Sequence, residues 1–334
     1  MTAVLGWDIG GVNTKGARVA QARVVATRVV PYELQRDPAA LAPLLRRLAR
    51  DVGAAPGDAH AITMTAELSQ LFRTKREGVG FVLDAVTAAF ADACVRVWTV
   101  DARWLTPAQA RREPHAVAAA NWAATAHLVA RFVPDCVLID VGSTTTDIVP
   151  IAGGVPRAAG RTDTERLREG ELVYTGALRT PAEAIAATVP VRGRATGVSA
   201  EGFALAGDVH LWRGELAPED YSVPTPDGRP ATRVFAGERL ARVVCADREL
   251  LDDEGVSGIA DALWDAQATR LRDAVVRARA RCPALTRAVV TGLGEFLAAE
   301  AARRAGLQVI PLSDRLGPAA RHAPAAAVAL MFPS

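Results

Sequence analysis

The stretch CVLIDVGSTTTDIVPI, residues 136–151, decides the fold of this chain. Its first apolar run ends on the carboxylate of Asp140, and a turn of small and hydroxyl residues leads into a second apolar run through Asp147. Short apolar runs bounded by turn residues are typical of buried strands. The stretch therefore predicts a β-hairpin with one carboxylate on each side of its turn.

This turn has the chemistry of a phosphate-binding loop. Backbone amides of a tight turn, together with hydroxyl side chains, can bind phosphate oxygens. The flanking carboxylates can bind Mg²⁺, a hard cation that prefers oxygen ligands and often binds beside phosphate. The phosphate-binding candidates of this hairpin are Gly142, Ser143, Thr144 and Thr145.

The same pattern occurs near the N-terminus, in LGWDIGGVNTKGARV, residues 5–19. Asp8 aligns with Asp140, 132 residues later, and Lys15 falls on the position of Asp147. A repeat of this period is too long for a solenoid and favours two related halves of a duplicated protein. The phosphate-binding candidates of this second hairpin are Gly10, Gly11, Asn13 and Thr14.

The repeat predicts an α/β protein with one domain over 1–132 and a second over 133–334. A cleft is expected between Asp8 and Asp140, and these two residues with Asp147 are the candidate metal ligands. An irregular insertion is expected near 192–235, and the last helix could pack back on the first domain. Apolar spacing also predicts helices over 115–132, 238–251 and 259–280.

Composition excludes several classes of protein. The chain has 334 residues, of which half are hydrophobic and 23% charged, so a sizeable core is expected. The net charge of +2 gives no reason to expect nucleic-acid or membrane partners. Four scattered cysteines without a CxxC pair are expected to be buried thiols of a cytoplasmic protein rather than metal ligands or disulfides.

Lysine is rare in this chain. Only Lys15 and Lys75 among its 39 basic residues are lysines. This bias indicates that a compact ammonium could be required at these two positions. Chance is an equally good explanation. Lys15 is a candidate catalytic residue, with a solvent-facing lysine as the alternative.

A third candidate group follows a predicted strand at 60–64. Glu67 lies just past the strand end, where an active-site carboxylate is often found, although a carboxylate in the first turn of a helix is equally plausible. The basic segment after it contains Arg73 and Lys75, which could bind an anionic substrate or form a solvated loop.

Further substrate-binding candidates are spread along the chain. Asn121 and Trp122 lie within the helix predicted over 115–132 and could face the cleft, or Trp122 belongs to the core and Asn121 is capped. A strand is expected to carry Tyr174 and Thr175 out of the core, with Arg179 just beyond it, or the segment is simply a strand-to-helix corner. A strand, a glycine turn and a helix follow at 288–296, and this arrangement suits an anion at Gly292 and Gly294.

Together these segments resemble a known family. The hairpins resemble those of the actin/Hsp70/sugar kinase superfamily, whose two RNase H-like halves enclose a nucleotide or phosphate. More narrowly, the chain resembles the hydantoinase A/oxoprolinase-related proteins of the tetrahydromethanopterin-linked C1-transfer pathway, which include a synthase of methanofuran biosynthesis. The resemblance spans residues 4–296 and is carried by DIGGVNTKGA, TMTAEL, ANW, DVGSTTTDIVPI and GELVYTGALRTP.

The resemblance implies a Mg²⁺-dependent transferase. It would join an (aminomethyl)furanmethyl diphosphate to the phenol of a tyramine- or tyrosine-type acceptor, and Glu67 or another carboxylate would take the phenol proton. The alternatives are an ATP-dependent small-molecule kinase or ATPase of the same superfamily and a non-enzymatic nucleotide-binding scaffold. A bound nucleotide and a homodimer are left open.

Overall fold

The computed structural model describes residues 3–333, which form two compact units. The first unit contains the described residues within 1–136, 151–166 and 312–334. The second contains 137–150 and 167–311. The chain therefore passes from the first unit to the second more than once.

The described part of the first unit is built on one mixed sheet of six strands. The strand order is β3-β2-β1-β4-β5-β6; β1, β2 and β3 are antiparallel, β4 is parallel to β1 and to β5, and β6 is antiparallel to β5. These strands are β1 (Val4–Ile9), β2 (Asn13–Ala20), β3 (Arg23–Pro31), β4 (Ala59–Met64), β5 (Val95–Trp98) and β6 (Trp104–Leu105). The predicted N-terminal hairpin is thereby confirmed.

Helices cover this sheet, and their sequences explain how they pack. In α1 the leucines at 41, 44, 45 and 48 recur at helical spacing and are all buried. Gly6 of β1 lets the last helix approach closely, because an added Cβ there would collide with the carbonyl oxygen of Ala325. The helices of this unit are α1 (Leu41–Asp51), α2 (Lys75–Ala89), α3 (Pro107–Arg112), α4 (Pro114–Val117), α5 (Asn121–Phe132), α12 (Ser313–Leu316) and α13 (Ala323–Leu330). The unit also contains the start of α6 (Asp163–Glu169), up to Arg166.

The second unit repeats the hairpin and the parallel strand beside it. Within the described residues its sheet has the order β10-β8-β7-β13-β14, and β13 is parallel to both β7 and β14. The strands of this sheet are β7 (Cys136–Val141), β8 (Thr146–Ala152), β10 (Leu172–Val173), β13 (Arg287–Thr291) and β14 (Gln308–Pro311). The short β9 (Val155–Pro156) belongs to the first unit and pairs with the end of β8 at Ile151 and Ala152. The order β8-β7-β13 mirrors β2-β1-β4, as the sequence repeat predicts.

The remaining elements of the second unit are a two-stranded ribbon and five helices among the described residues. The 28-residue α10 is the longest of these helices, and it is capped by Asp252, whose side chain accepts a hydrogen bond from the amide of Gly255. These elements are β11 (Thr188–Val191), β12 (Arg194–Gly197), α7 (Ala182–Ile185), α8 (Ala206–Arg213), α9 (Arg233–Arg242), α10 (Asp253–Ala280) and α11 (Glu295–Arg304).

Three local predictions are wrong. The helix expected over 115–132 is broken between α4 and α5, because Ala119 has φ 49° and Ala118 pairs with Met64 in an isolated bridge. The helix expected over 238–251 ends at Arg242, and the Asp247 side chain instead accepts the amides of the next turn. The segment 192–235 contains β12 and α8, whose buried Asp208 and His210 hide the apolar pattern of that helix.

The cysteine and corner predictions also need correction. Only Cys136 of the four cysteines, all in described positions, is buried; Cys94 and Cys245 are exposed and Cys282 is half-buried. The strand expected to carry Tyr174 ends at Val173.

Candidate active site

The hairpin of the first unit places its two charged residues face to face. Asp8 on β1 is the register partner of Lys15 on β2, and Lys15 Nζ lies 3.1 Å from Asp8 Oδ2. Asp8 is only 5% exposed. Its other carboxylate oxygen, Oδ1, is buried without a hydrogen-bond partner in the structure. Asp8 thus keeps one oxygen for a ligand while the other binds Lys15.

The turn of this hairpin depends on Gly10. The amide of Gly10 donates to the carbonyl oxygen of Asn13 at 3.0 Å, and an added Cβ would lie 2.6 Å from that oxygen. At Gly11 an added Cβ would meet no atom within 4 Å, so this position opens onto free space. The side-chain oxygens of Asn13 and Thr14 are buried without hydrogen-bond partners. The turn therefore gathers unsatisfied polar atoms next to Asp8.

Glu67 lies in a 3₁₀ turn, Ala66–Leu68, directly after β4. It is 1% exposed, and neither carboxylate oxygen makes a hydrogen bond of ordinary geometry. Burial raises the pKa of the Glu67 carboxyl to about 7. The backbone amides of Glu67 and Ala119 and the charge of Lys75 lower this pKa in part, while Asp163 raises it.

Lys75, the first residue of α2, forms an ion pair beside this carboxyl. Its Nζ lies 2.8 Å from Oδ2 of Asp163, the first residue of α6. Both lysines of the chain are therefore paired with aspartates of the first unit. No sequence motif singles out Asp163, and no local pattern predicts that it meets Lys75.

The other predicted residues of the first unit lie in varied surroundings. Arg73 is exposed, and Asn121 is the half-buried first residue of α5. Trp122 is buried, with the Arg166 guanidinium 4.1 Å above its ring. His322, which no motif singled out, precedes α13; burial, together with the charges of Lys15 and Arg321, lowers its pKa to about 4.

In the second unit, a glycine turn packs against the strand end that carries Asp140. Asp140 is the register partner of Thr291 on β13, and the amide of Gly294 donates to the carbonyl oxygen of Val141 at 2.9 Å. Gly292 has φ 95°, and an added Cβ there would lie 2.5 Å from Asp140 Oδ1. Two of the predicted segments, the hairpin and this glycine turn, are thus brought together.

We expect Gly292→Ala to destabilise the protein by about 2 kcal/mol or more, because the backbone is left-handed and the new methyl group collides with Val141 and Asp140. Urea unfolding measures this effect. Gly258→Ala on α10 is the matched control, since its Cβ meets nothing within 4 Å and alanine favours a helix. Equal unfolding midpoints for Gly292→Ala and the unmodified protein would contradict the assignment of this contact.

The hairpin turn of the second unit is fixed by the segment 176–179. The carbonyl oxygen of Ser143 accepts the amides of Leu178 and Arg179 at 3.0 and 2.9 Å. Gly176 lies against the turn so closely that an added Cβ would be 2.6 Å from the amide nitrogen of Thr144. The family-level segment GELVYTGALRTP therefore braces the hairpin turn.

A buried polar network holds this brace. Thr175, which had been expected to leave the core, is fully buried, and its hydroxyl contacts Thr180 and accepts from Gln267 at 2.8 Å. Gln267 also contacts a ring nitrogen of His210 at 3.1 Å. Tyr174 by contrast is 61% exposed, and Arg179 is also exposed. Asp147 is buried on β8, in register with Leu172.

The two units share a feature that the comparison of their hairpin sequences does not show. Thr63 is the parallel-strand partner of Asp8, just as Thr291 is the partner of Asp140. Both threonines are fully buried. They lie outside the aligned hairpins and become equivalent only when β4 and β13 take the same place beside the central strand.

Two features are absent from the described part of the chain. Within residues 3–333, no three His, Cys, Asp or Glu side chains are grouped to hold a metal ion. In the same range, no helix combines the length and the apolar character that crossing a bilayer requires.

Comparison with known proteins places this architecture. The sequence profile described as Hydantoinase/oxoprolinase matches residues 58–332. A protein of Methanocaldococcus jannaschii, named (4-{4-[2-(gamma-L-glutamylamino)ethyl]phenoxymethyl}furan-2-yl)methanamine synthase, is 37% identical over 299 residues, covering 89% of this chain and 88% of its own. A protein of the same name from Methanococcus vannielii is 34% identical over 187 residues, covering 55% of this chain and 83% of its own.

Solved structures show the same fold at low sequence identity. A nucleotide-free acetone carboxylase structure aligns with a TM-score of 0.56 and 13% identity, covering 98% of this chain and 70% of its own. A glucokinase of the ROK family from Streptomyces griseus aligns with a TM-score of 0.50 and 14% identity, covering 98% of both chains. These likenesses bear on the fold alone, and the predicted α/β fold with two related sheets is confirmed.

Proposed function

This chain belongs to the hydantoinase/oxoprolinase family, and we propose that it is a transferase that forms an aryl ether in methanofuran or methylofuran biosynthesis. The name of its M. jannaschii relative describes a product in which a phenol oxygen is joined to the CH₂ group of a furan. The phenol belongs to a γ-glutamylated tyramine in that product. The proposed substrates are accordingly such a phenol and a furanmethyl ester with a good leaving group.

We propose diphosphate as that leaving group. The phenol oxygen attacks the CH₂ carbon of an (aminomethyl)furanmethyl diphosphate, and a new C–O bond forms. The bond from that carbon to the diphosphate oxygen breaks, and its electron pair leaves with the diphosphate. The phenol proton passes to a base, so the reaction is balanced without a redox partner or a nucleotide.

The buried position of Glu67 and its raised pKa are the observation that carries the proposal. A free phenol has a pKa of about 10, so a base raises the fraction of reactive phenolate at neutral pH. A carboxylate of ordinary pKa is a weak base for this task, whereas the pKa of Glu67 lies at about 7. Neither of its oxygens makes a hydrogen bond of ordinary geometry, so a phenol hydroxyl could donate one.

The hairpin of the first unit is proposed to bind the leaving group. Lys15 would donate to diphosphate oxygens as negative charge grows on them, which is where a cation contributes most. Gly10, Gly11, Asn13 and Thr14 supply backbone and side-chain groups around the same turn. In the second unit the corresponding groups are Gly142, Ser143, Thr144, Thr145, Gly292 and Gly294.

The donor set fits Mg²⁺. Asp8 has a buried carboxylate oxygen without a partner, and Mg²⁺ commonly takes one or two carboxylates and completes its shell with water and phosphate oxygens. Asp8 is the residue of the first unit proposed to hold it, and Asp140 and Asp147 are the candidate ligands on the corresponding hairpin of the second unit. When bound, Mg²⁺ would neutralise charge on the diphosphate. Arg73, Asn121, Tyr174 and Arg179 remain candidates for substrate contact.

Metal removal tests this part of the proposal. We expect EDTA to abolish turnover and added Mg²⁺ to restore it, because the diphosphate would otherwise leave as an uncompensated polyanion. Zn²⁺ should restore turnover less well, since the candidate ligands are oxygens. Full turnover in metal-free buffer would contradict the proposed role of Mg²⁺.

Substrate assays test the function itself. The purified protein should release diphosphate only when the furan diphosphate and a γ-glutamyltyramine-type phenol are both present. ATP with either compound alone should give no turnover. ATP hydrolysis or phosphorylation of a small molecule would instead favour a kinase or ATPase. A cytoplasmic location, a homodimer and a bound nucleotide stay predictions from the sequence.

A further inference from the structure

The ion pair between Lys75 and Asp163 joins two helix starts that are far apart in the chain. The two residues are 88 positions apart, and their side chains are 26% and 19% exposed. The pair is therefore partly buried in the first unit. Both of its charges influence the ionisation of the nearby Glu67 carboxyl. Such a pair is screened less than one on the open surface.

The start of α2 is fixed with respect to Glu67. Gly78 on α2 lies so close to the Glu67 backbone that an added Cβ would be 2.5 Å from its carbonyl oxygen. The hydroxyl of Thr74 accepts the amide of Glu77 at 3.1 Å, and the Glu77 carboxylate accepts the amide of Arg73 at 2.9 Å. The Lys75 ammonium is thus presented from a capped and closely packed helix end.

We propose that Lys75 and Asp163 are positioning residues that keep Glu67 unpaired and set the pH range over which it accepts a proton. The proposal rests on the proposed function, in which Glu67 is the base. A lone ammonium beside a buried carboxylate would form an ion pair with it. Asp163 competes for that ammonium at 2.8 Å, so Glu67 keeps both oxygens for the substrate.

The choice of lysine at position 75 follows from this role. A guanidinium has five N–H donors in a wide fork and could bind Asp163 and Glu67 together. An ammonium is a compact charge that Asp163 can hold. The charged side chains at the start of α2 (Arg73, Arg76 and Glu77) and His115 on α4 are exposed, whereas Arg166 on α6, the helix of Asp163, is buried.

Opposite shifts in the pH dependence test this inference. Turnover requires ionised Glu67, so it should fall as the pH drops through the pKa of that group. Lys75→Met removes a nearby positive charge and should move this fall to higher pH by about one unit. Asp163→Asn removes a negative charge and lets Lys75 bind Glu67, so the fall should move to lower pH by about one unit.

Asp84→Asn is the matched control. Asp84 is an exposed acid on the same helix, α2, and its carboxylate pairs with Arg111. It should leave the profile unchanged. A merely structural pair would lower turnover at every pH without moving the profile, and that result would overturn the inference. Shifts of Lys75→Met and Asp163→Asn in the same direction would overturn it as well.

A titration without substrate separates this inference from the proposed function. Carboxyl ¹³C NMR, with Glu67→Gln to identify the Glu67 signal, should show the same two opposite shifts. If the unmodified protein fails to form the ether but the NMR shifts are opposite, the proposed function fails and the arrangement around Glu67 stands. If the ether forms but the Glu67 signal titrates identically in all variants, the inference fails alone.

Discussion

Glu67→Gln is expected to lower turnover by about 10²–10⁴-fold, because glutamine keeps the shape of the side chain and cannot accept the phenol proton. In the unmodified protein, turnover should fall as the pH drops below about 7, where Glu67 becomes protonated. The residual turnover of the variant should lack this dependence. Steady-state kinetics over a pH series measures both effects.

The same substitution is expected to stabilise the fold at alkaline pH. The Glu67 pKa is about 7 in the folded protein against an ordinary 4.5, so the folded state binds this proton more tightly than the unfolded state. The resulting stability is complete below pH 4.5 and is lost as the pH rises through about 7. Glutamine does not ionise, so at pH 8 the variant should be more stable by on the order of 3 kcal/mol.

Glu113→Gln is the control for both effects, since Glu113 is exposed and pairs with Arg103 at the surface. It should change turnover little and stability by less than about 1 kcal/mol. Normal turnover in folded Glu67→Gln would remove Glu67 from the reaction. Loss of both turnover and stability would instead show that Glu67 supports the fold.

Lys15→Ala is expected to lower turnover by about 10²–10³-fold, the usual cost of losing one charged donor to a developing anion. The variant also leaves the buried Asp8 carboxylate without its partner at 3.1 Å, so some loss of stability should accompany it. Turnover should therefore be compared at a temperature where the variant is fully folded, as judged by circular dichroism.

Lys15→Arg separates charge from shape at this position. The wider guanidinium does not fit a compact donor site well, so it should restore stability more than turnover. Arg23→Ala removes an exposed cation at the start of β3 and is the control. Near-normal turnover in folded Lys15→Ala would show that this ammonium only balances the charge of Asp8.

The repeated hairpins made the fold predictable from the sequence. Each combines a buried strand, a carboxylate and a glycine turn, and these features are local, so spacing and composition reveal them. Glu67 could be placed at a strand end for the same reason. The sequence could not decide between the two possible roles of Glu67, because a carboxylate in the first turn of a helix and a buried base have the same local sequence.

The features that could not be predicted from the sequence depend on contacts between distant segments. Asp163 meets Lys75 across 88 positions, and no periodicity connects them. Ala119 takes a left-handed backbone that alanine rarely adopts, which places its amide near Glu67. Thr175 turned inward because Gln267, on a helix far along the chain, binds its hydroxyl. Such pairs appear only when the chain is folded.

The site of bond cleavage tests the central claim most directly. The furanmethyl diphosphate would be labelled with ¹⁸O at the oxygen that bridges carbon and phosphorus, and the products would be analysed by mass spectrometry. Attack by the phenol at carbon predicts an unlabelled ether and ¹⁸O in the released diphosphate. Unlabelled diphosphate with ¹⁸O retained on the furan alcohol would show cleavage at phosphorus and would contradict ether formation by this protein.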